Sequence, residues 1–267
     1  VAEQPGDDET ALAEDHEFLP VTGGGSGEAM AKSFGDFRYM TFDVVGTLID
    51  FEGGLVGSLA DIAREAGVAF DGEEALNLYR AARYMPDVQH FPDDLVRVYG
   101  VIAPKLGLPT GESHGQRLRG AVKDWRPFPD SAEALARLSK RYKLIAMTNA
   151  QRWAFEHFSR ALGNPFYAGF TVDDTGTEKP DPAFFEQVFA FVEKNGGSRG
   201  QILHVAQSQY HDIGISRKLG LTNCWIQRRH AQPGYGGTIE PERFTEPDFH
   251  FTSMGALADA VEASLVA

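Results

Sequence analysis

Tyr39-Met40-Thr41-Phe42-Asp43-Val44-Val45-Gly46-Thr47 is the stretch on which the fold turns. It is a short apolar run bounded by a turn residue, which reads as a buried strand with a carboxylate near its end. After it, residues 55–99 carry a mainly helical pattern, broken near Met85-Pro86 and Phe91-Pro92, and Arg97 to Leu108 reads as another helix. No clear strand interrupts this block, so the pattern predicts a small helical domain inserted after the first strand. Strand and helix then alternate. Strands are expected at Lys143–Met147, near Gly169–Thr171, at Ile202–Ala206, at Asn223–Ile226 and near Phe249–Phe251. Helices are expected from about Trp153 to Leu162, Pro182 to Lys194 and His211 to Leu219, and around Leu257 and Val261. Asp130 with Glu133 reads as a capping box opening a helix before the second strand. Alternation of this kind implies parallel pairing with helices on both faces, an α/β doubly wound sheet.

Composition narrows the function classes. The chain has 267 residues, 42% hydrophobic, enough for a sizeable core, and its net charge of −13 argues against general nucleic-acid binding. Cys224 is the single cysteine, which excludes an intrachain disulfide and a thiolate zinc cluster and fits a reducing cytosol. No apolar run approaches the ~20 residues needed to span a bilayer, and no basic segment followed by an apolar stretch opens the chain. A cytoplasmic location with no membrane partner is therefore expected. Residues 1–35 are acidic and contain Gly23-Gly24-Gly25-Ser26-Gly27, which reads as a flexible extension. The expected core domain comprises residues 36–53 and 127–267, with the helical insertion at 54–126.

In doubly wound sheets, ligands sit beyond the carboxyl ends of the strands. The polar residues expected there are Asp43 and Thr47, Thr148 and Asn149, and the run Gln207 to Asp212, with Lys179-Pro180-Asp181-Pro182 in a loop able to reach the same edge. A carboxylate beside a cation and hydroxyl donors makes a nucleophile that stays ionised at neutral pH.

The order of these segments resembles the haloacid dehalogenase superfamily. Its four motifs match Phe42-Asp43-Val44-Val45-Gly46-Thr47-Leu48, Met147-Thr148-Asn149, Lys179-Pro180-Asp181-Pro182 and Val205-Ala206-Gln207-Ser208-Gln209-Tyr210-His211-Asp212. The resemblance implies a Rossmann-like core, a helical cap and catalysis by an aspartyl nucleophile, Asp43. The superfamily's phosphatases usually carry a general-acid Asp two residues after the nucleophile, where this chain has Val45. Their Gly-Asp pair in the fourth motif, which helps hold magnesium, is Ala206-Gln207 here. A halide leaves without a proton, so Val45 suits that chemistry.

Among the branches, the chain is similar to the L-2-haloacid dehalogenases, which work without metal, so no metal or cofactor is expected. That resemblance implies attack by Asp43 on carbon 2 of a small carboxylic acid, followed by hydrolysis of the ester to a 2-hydroxy acid. Thr47 and Thr148 would orient Asp43 or substrate, Lys179 would pair with Asp43, and Asp212 would hold Lys179 or activate water. Leu78-Tyr79-Arg80 resembles the branch's Leu-Trp-Arg segment, which makes Arg80 the candidate for the substrate carboxylate or departing anion, with Arg83 in reserve. Val45, Asn149, Gln207, Ser208, Gln209 and His211 are the further substrate-binding candidates. Phe185 and His211 stand where the branch has tyrosine and tryptophan. Relatives are often dimers, so a homodimer is among the expectations. The alternatives carried beside this reading are hydrolysis of another carbon–heteroatom bond such as the C–N bond of a strained cyclic amino acid, a magnesium-dependent phosphatase, and a non-catalytic small-acid binding module.

Overall fold

Six parallel strands form one sheet in the order β3-β2-β1-β4-β5-β6. They are β1 Tyr39–Phe42, β2 Lys143–Met147, β3 Ala168–Phe170, β4 Ile202–Ala206, β5 Thr222–Ile226 and β6 Phe249–Phe251. The computed structural model describes residues 32–264. Most of the expected acidic extension, residues 1–31, lies outside them. Chain order runs from β1 outward to β3, then returns to the other side of β1 for β4 to β6. The reversal falls between β1 and β4, the place where such sheets open a ligand crevice.

The strands are apolar because both faces are covered. Met40, Phe42, Leu144, Ala146, Leu203 and Val205 point into one layer, packed with α5 Ser131–Leu138 and α10 Met254–Ala263. Tyr39, Ile145, Met147 and Ile202 point into the other, against α8 Pro182–Lys194. There, Phe184, Phe185 and Phe189 are fully buried, each worth roughly 1.5–3 kcal/mol in removed apolar surface. The fold already includes Phe34, whose ring stacks on Phe249 at 4.7 Å and whose carbonyl accepts a hydrogen bond from the Tyr142 hydroxyl.

Between β1 and β2 lie α1 Phe51–Ala66, α2 Gly72–Ala82, α3 Leu95–Ile102 and α4 Glu112–Ala121. The helix expected over 97–108 starts at Leu95 and stops at Ile102. Helix α4 was not read from the sequence: only Gly115 and Leu118 are buried along it, too few to produce a periodic apolar stripe. Ser33 onward forms one compact unit, so the insertion does not separate from the rest of the fold.

Asp130 departs from its expected role. Its side chain makes no bond to its own helix. Instead it accepts from Arg228 Nη1 at 2.9 Å and from the backbone N–H groups of Met254 and Gly255 at the start of α10. Two donors of an open helix end and a half-buried guanidinium outcompete the local cap.

Candidate active site

Asp43 leaves β1 with its backbone N–H still bonded to the Val205 carbonyl, so the sheet itself aims the residue. The chain then turns tightly. Gly46 adopts φ of +92°, a conformation that favours glycine, and Leu48 and Ile49 donate back to the Val44 carbonyl. This turn returns the Thr47 hydroxyl to Asp43, where it donates to Oδ2 at 2.6 Å while accepting from the Gln207 N–H at 2.9 Å. The first and fourth motifs are thereby joined through one hydroxyl.

Lys179 enters from the loop before α8. Asn149 fixes that loop from both sides, accepting from the Lys179 N–H at 2.7 Å and donating to its carbonyl at 2.8 Å. The Lys179-Pro180 peptide is cis, and Asp181 caps α8 by accepting from Ala183 N. Lys179 Nζ then donates to Asp43 Oδ1 at 2.9 Å and to Asp212 Oδ1 at 2.6 Å, with all three side chains buried. Asp212 is reached through a single π-helical turn, Gln209–Ile213, ahead of α9 Gly214–Lys218, rather than through the regular helix expected from His211. His204 on β4 also donates to Asp212 Oδ1, at 3.1 Å.

The electrostatics divide the two carboxylates. Burial, the largest influence on Asp43, lifts its carboxyl above the ordinary value, reinforced by Asp212 and opposed by Lys179 and Thr47. Burial also works on Asp212, but there the Lys179 ammonium and the His204 N–H prevail and hold it at about 2. Burial disfavours the Lys179 ammonium, yet Asp212 and Asp43 outweigh that and raise it. His211, whose N–H and Nδ1 both meet the Ser208 hydroxyl, is pushed down to about 4 by burial, with Lys179 and Arg83 adding to the effect. It is neutral at pH 7. One shared cation thus serves two anions, and Asp43 is the less comfortable of them.

These groups border a cavity of about 110 Å³. An engineered cavity of roughly 150 Å³ holds benzene, so this one suits a molecule of a few heavy atoms. Of the expected residues, Asp43, Val45, Thr148, Asn149, Lys179, Gln207, Ser208, His211 and Asp212 line it. Three do not. Thr47 acts from behind Asp43. Gln209 is turned away, its Oε1 accepting from Thr245 N. Arg80 is the principal correction: its guanidinium is bound to the Gly236 carbonyl and to Asn77 Oδ1 and does not border the cavity. Arg83, one turn further at the C-cap of α2, does. It donates to Asp94 Oδ2 at 2.6 Å and approaches Glu178 at 4.0 Å.

Sequence reasoning missed the apolar wall of Phe51, Tyr79 and Phe91, and the segment Gly237-Thr238-Ile239. Tyr79 sat inside the quoted Leu78-Tyr79-Arg80 segment, a signal that could have found it. Residues 237–239 belong to a loop with no periodicity and offered none.

The superfamily's phosphatases imply magnesium, and this donor set does not fit it. Gln207 stands where the magnesium-holding pair has its acid, and Asp43 and Asp212 already share Lys179. Among the described residues, no group of three or more His, Cys, Asp and Glu side chains could hold a metal.

A family model described as haloacid dehalogenase-like hydrolase matches residues 37–205. An (S)-2-haloacid dehalogenase of Pseudomonas fluorescens is 23% identical over 216 residues, covering 71% of this chain and 84% of that protein. A 5-amino-6-(5-phospho-D-ribitylamino)uracil phosphatase of Escherichia coli K12, YigB, is 28% identical over 172 residues, covering 60% of this chain and 68% of its own. The solved structure of L-2-haloacid dehalogenase from Xanthobacter autotrophicus shares the fold with a TM-score of 0.67 at 21% identity, over 85% of this chain and 98% of that one. With the motif residues gathered at one sheet edge and the family model covering well over half the sequence, the chain belongs to the haloacid dehalogenase-like hydrolases.

Proposed function

We propose that the protein is a metal-independent hydrolase in which Asp43 displaces a leaving group, most simply a halide, from carbon 2 of a small carboxylic acid. The observation that carries this reading is the buried Asp43–Lys179–Asp212 arrangement with Val45, which has no ionisable group, on the cavity wall. An Asp43 oxygen forms a bond to carbon 2 as the carbon–halogen bond breaks and its electron pair leaves with the halide. Water then adds to Asp43 Cγ, giving one proton to Asp212. The Cγ–O bond to the product breaks, the alkoxide takes a proton, the other proton passes to solvent, and Asp43 is restored.

A leaving amine needs a proton, and burial, which pushes His211 down to about 4, disfavours the imidazolium that would supply it at neutral pH. A phosphoryl group needs a cation clamp that the donor set does not provide. The cap formed by α1–α4 supplies the apolar wall and Arg83, whose guanidinium is the partner for the substrate carboxylate. The test is halide release from the two enantiomers of 2-chloropropionate without added metal, beside phosphomonoester hydrolysis with magnesium. Halide release supports the reading; phosphate release alone overturns it.

Arg83→Met is expected to lower kcat/KM roughly 10- to 150-fold, the loss of a charged hydrogen bond of about 1.5–3 kcal/mol, mainly through KM. The same change at Arg80 is expected to cost less, and steady-state kinetics of both variants distinguishes the two arginines.

The pH profile has a definite sign. Activity needs ionised Asp43, whose carboxyl lies above its ordinary 3.8, so kcat/KM falls with acid and begins to fall above that value. Lys179 is raised above 10.5, so no alkaline loss from its deprotonation is expected below that pH. An increase in rate toward acid pH would contradict the assignment.

A further inference from the structure

We propose that His204, held by Thr41, is the positioning residue that fixes the Asp212 carboxylate and keeps one of its oxygens open for water; the catalytic part of this rests on the hydrolase reading above. His204 lies in the middle of β4, fully buried, with Thr41 paired beside it on β1. Its Nδ1 is 2.8 Å from Thr41 Oγ1 and its Nε2 is 3.1 Å from Asp212 Oδ1. The Phe185 ring meets the imidazole edge-on at 5.4 Å.

The tautomer follows from the acceptors. An ionised carboxylate can only accept, so Nε2 must carry the hydrogen. In the neutral ring Nδ1 is then a lone pair, and the Thr41 hydroxyl is the donor that satisfies it. Asp212 thus selects the tautomer, and the Thr41 hydroxyl serves the other ring nitrogen and holds the ring in place. With Lys179 Nζ and His204 Nε2 both on Oδ1, Asp212 Oδ2 is left buried without a hydrogen-bond partner. A buried carboxylate oxygen left open is costly unless something uses it. A water attacking Asp43 Cγ needs such an acceptor for the proton it loses, and the rotation of the Asp212 carboxylate decides whether that acceptor is in place.

The experiment compares His204→Phe, which fills the space without a donor, His204→Gln, whose amide nitrogen can stand in for Nε2, and Thr41→Val. Single turnovers with L-2-chloropropionate are quenched and the intact protein is weighed, so that ester formation and ester decay are read separately. His204→Phe is expected to slow ester decay roughly 10- to 100-fold, the range for a displaced catalytic group, with a far smaller change in ester formation. Thr41→Val should act in the same direction and His204→Gln should recover most of the loss. Equal slowing of both steps, or a His204→Gln variant as poor as His204→Phe, would overturn the proposal. The tautomer is read independently from ring ¹⁵N shifts of the resting protein at pH 7. A hydrogen on Nε2 is expected, and a ring protonated on Nδ1 alone would overturn it. If no ester forms in the unsubstituted protein, the dehalogenase reading fails, while the ¹⁵N spectrum still decides whether His204 pins Asp212.

Discussion

Asp43→Asn is expected to lower turnover by roughly 10⁴-fold or more while leaving the protein folded, because an amide cannot serve as the nucleophile. Lys179 keeps its 2.6 Å bond to Asp212 in this variant, so the buried cation is not abandoned. Stability gives the independent half of the result. The Asp43 carboxyl is raised in the folded protein, chiefly by burial, so its ionised form costs stability at neutral pH. The neutral amide removes that cost. Thermal denaturation at pH 7 should therefore show a midpoint equal to or above that of the unsubstituted protein. Lost activity with retained or increased stability marks a group kept for chemistry; loss of both would mark Asp43 as structural.

Lys179→Met is expected to act in the opposite way on stability. It leaves two carboxylates facing each other in a buried site without their shared ammonium, a loss of about 3–5 kcal/mol at neutral pH. Turnover is lost too, since the ammonium that favours the charged forms of both Asp43 and Asp212 is gone. The pH dependence has a sign that separates this from simple loss of packing. Without Lys179, the Asp43 carboxyl rises further above its unfolded value, and Asp212 loses the main influence that holds it below its own. Stability carried by such raised groups is present below the unfolded value near 4 and lost as pH rises through the folded one. Urea denaturation of the variant and the unsubstituted protein should show the deficit shrinking from pH 7 toward pH 4. A deficit independent of pH would mean that the methionine disturbs packing and that the charge arrangement matters little.

The strand ends were legible because a parallel sheet places its chemistry there, and three short apolar runs, β1, β2 and β4, each finish in polar residues. Asp43, Thr148, Gln207 and Asp212 could be read that way, and the Asx-like Lys179-Pro180-Asp181-Pro182 loop announced the start of α8. Arg80 and Arg83 show where such reading stops. They lie one turn apart, Arg80 in the last turn of α2 and Arg83 at its C-cap, so the choice between them depends on how that helix is rotated against the core. It depends also on a loop some 150 residues later, whose Gly236 carbonyl captures Arg80. Asp130 was misjudged for the same reason: its decisive partner, Arg228, is 98 residues away. His204 was read as part of an apolar strand, and only the pairing of β4 with β1 shows that its ring meets Thr41. Gln209 looked like a site residue by position in its motif, but the π-helical turn swings its side chain to Thr245. Tertiary partners decided each of these, and local patterns do not carry them.

The most direct measurement of the central proposal is a single turnover of excess protein with L-2-chloropropionate in H₂¹⁸O, followed by mass analysis of the peptide bearing Asp43. Attack by Asp43 on carbon, with water then opening the ester at Cγ, places the heavy oxygen in the Asp43 carboxylate and leaves the first lactate formed unlabelled. Label in the lactate from the first turnover, with none on that peptide, would mean that water strikes carbon directly and that Asp43 is not the nucleophile.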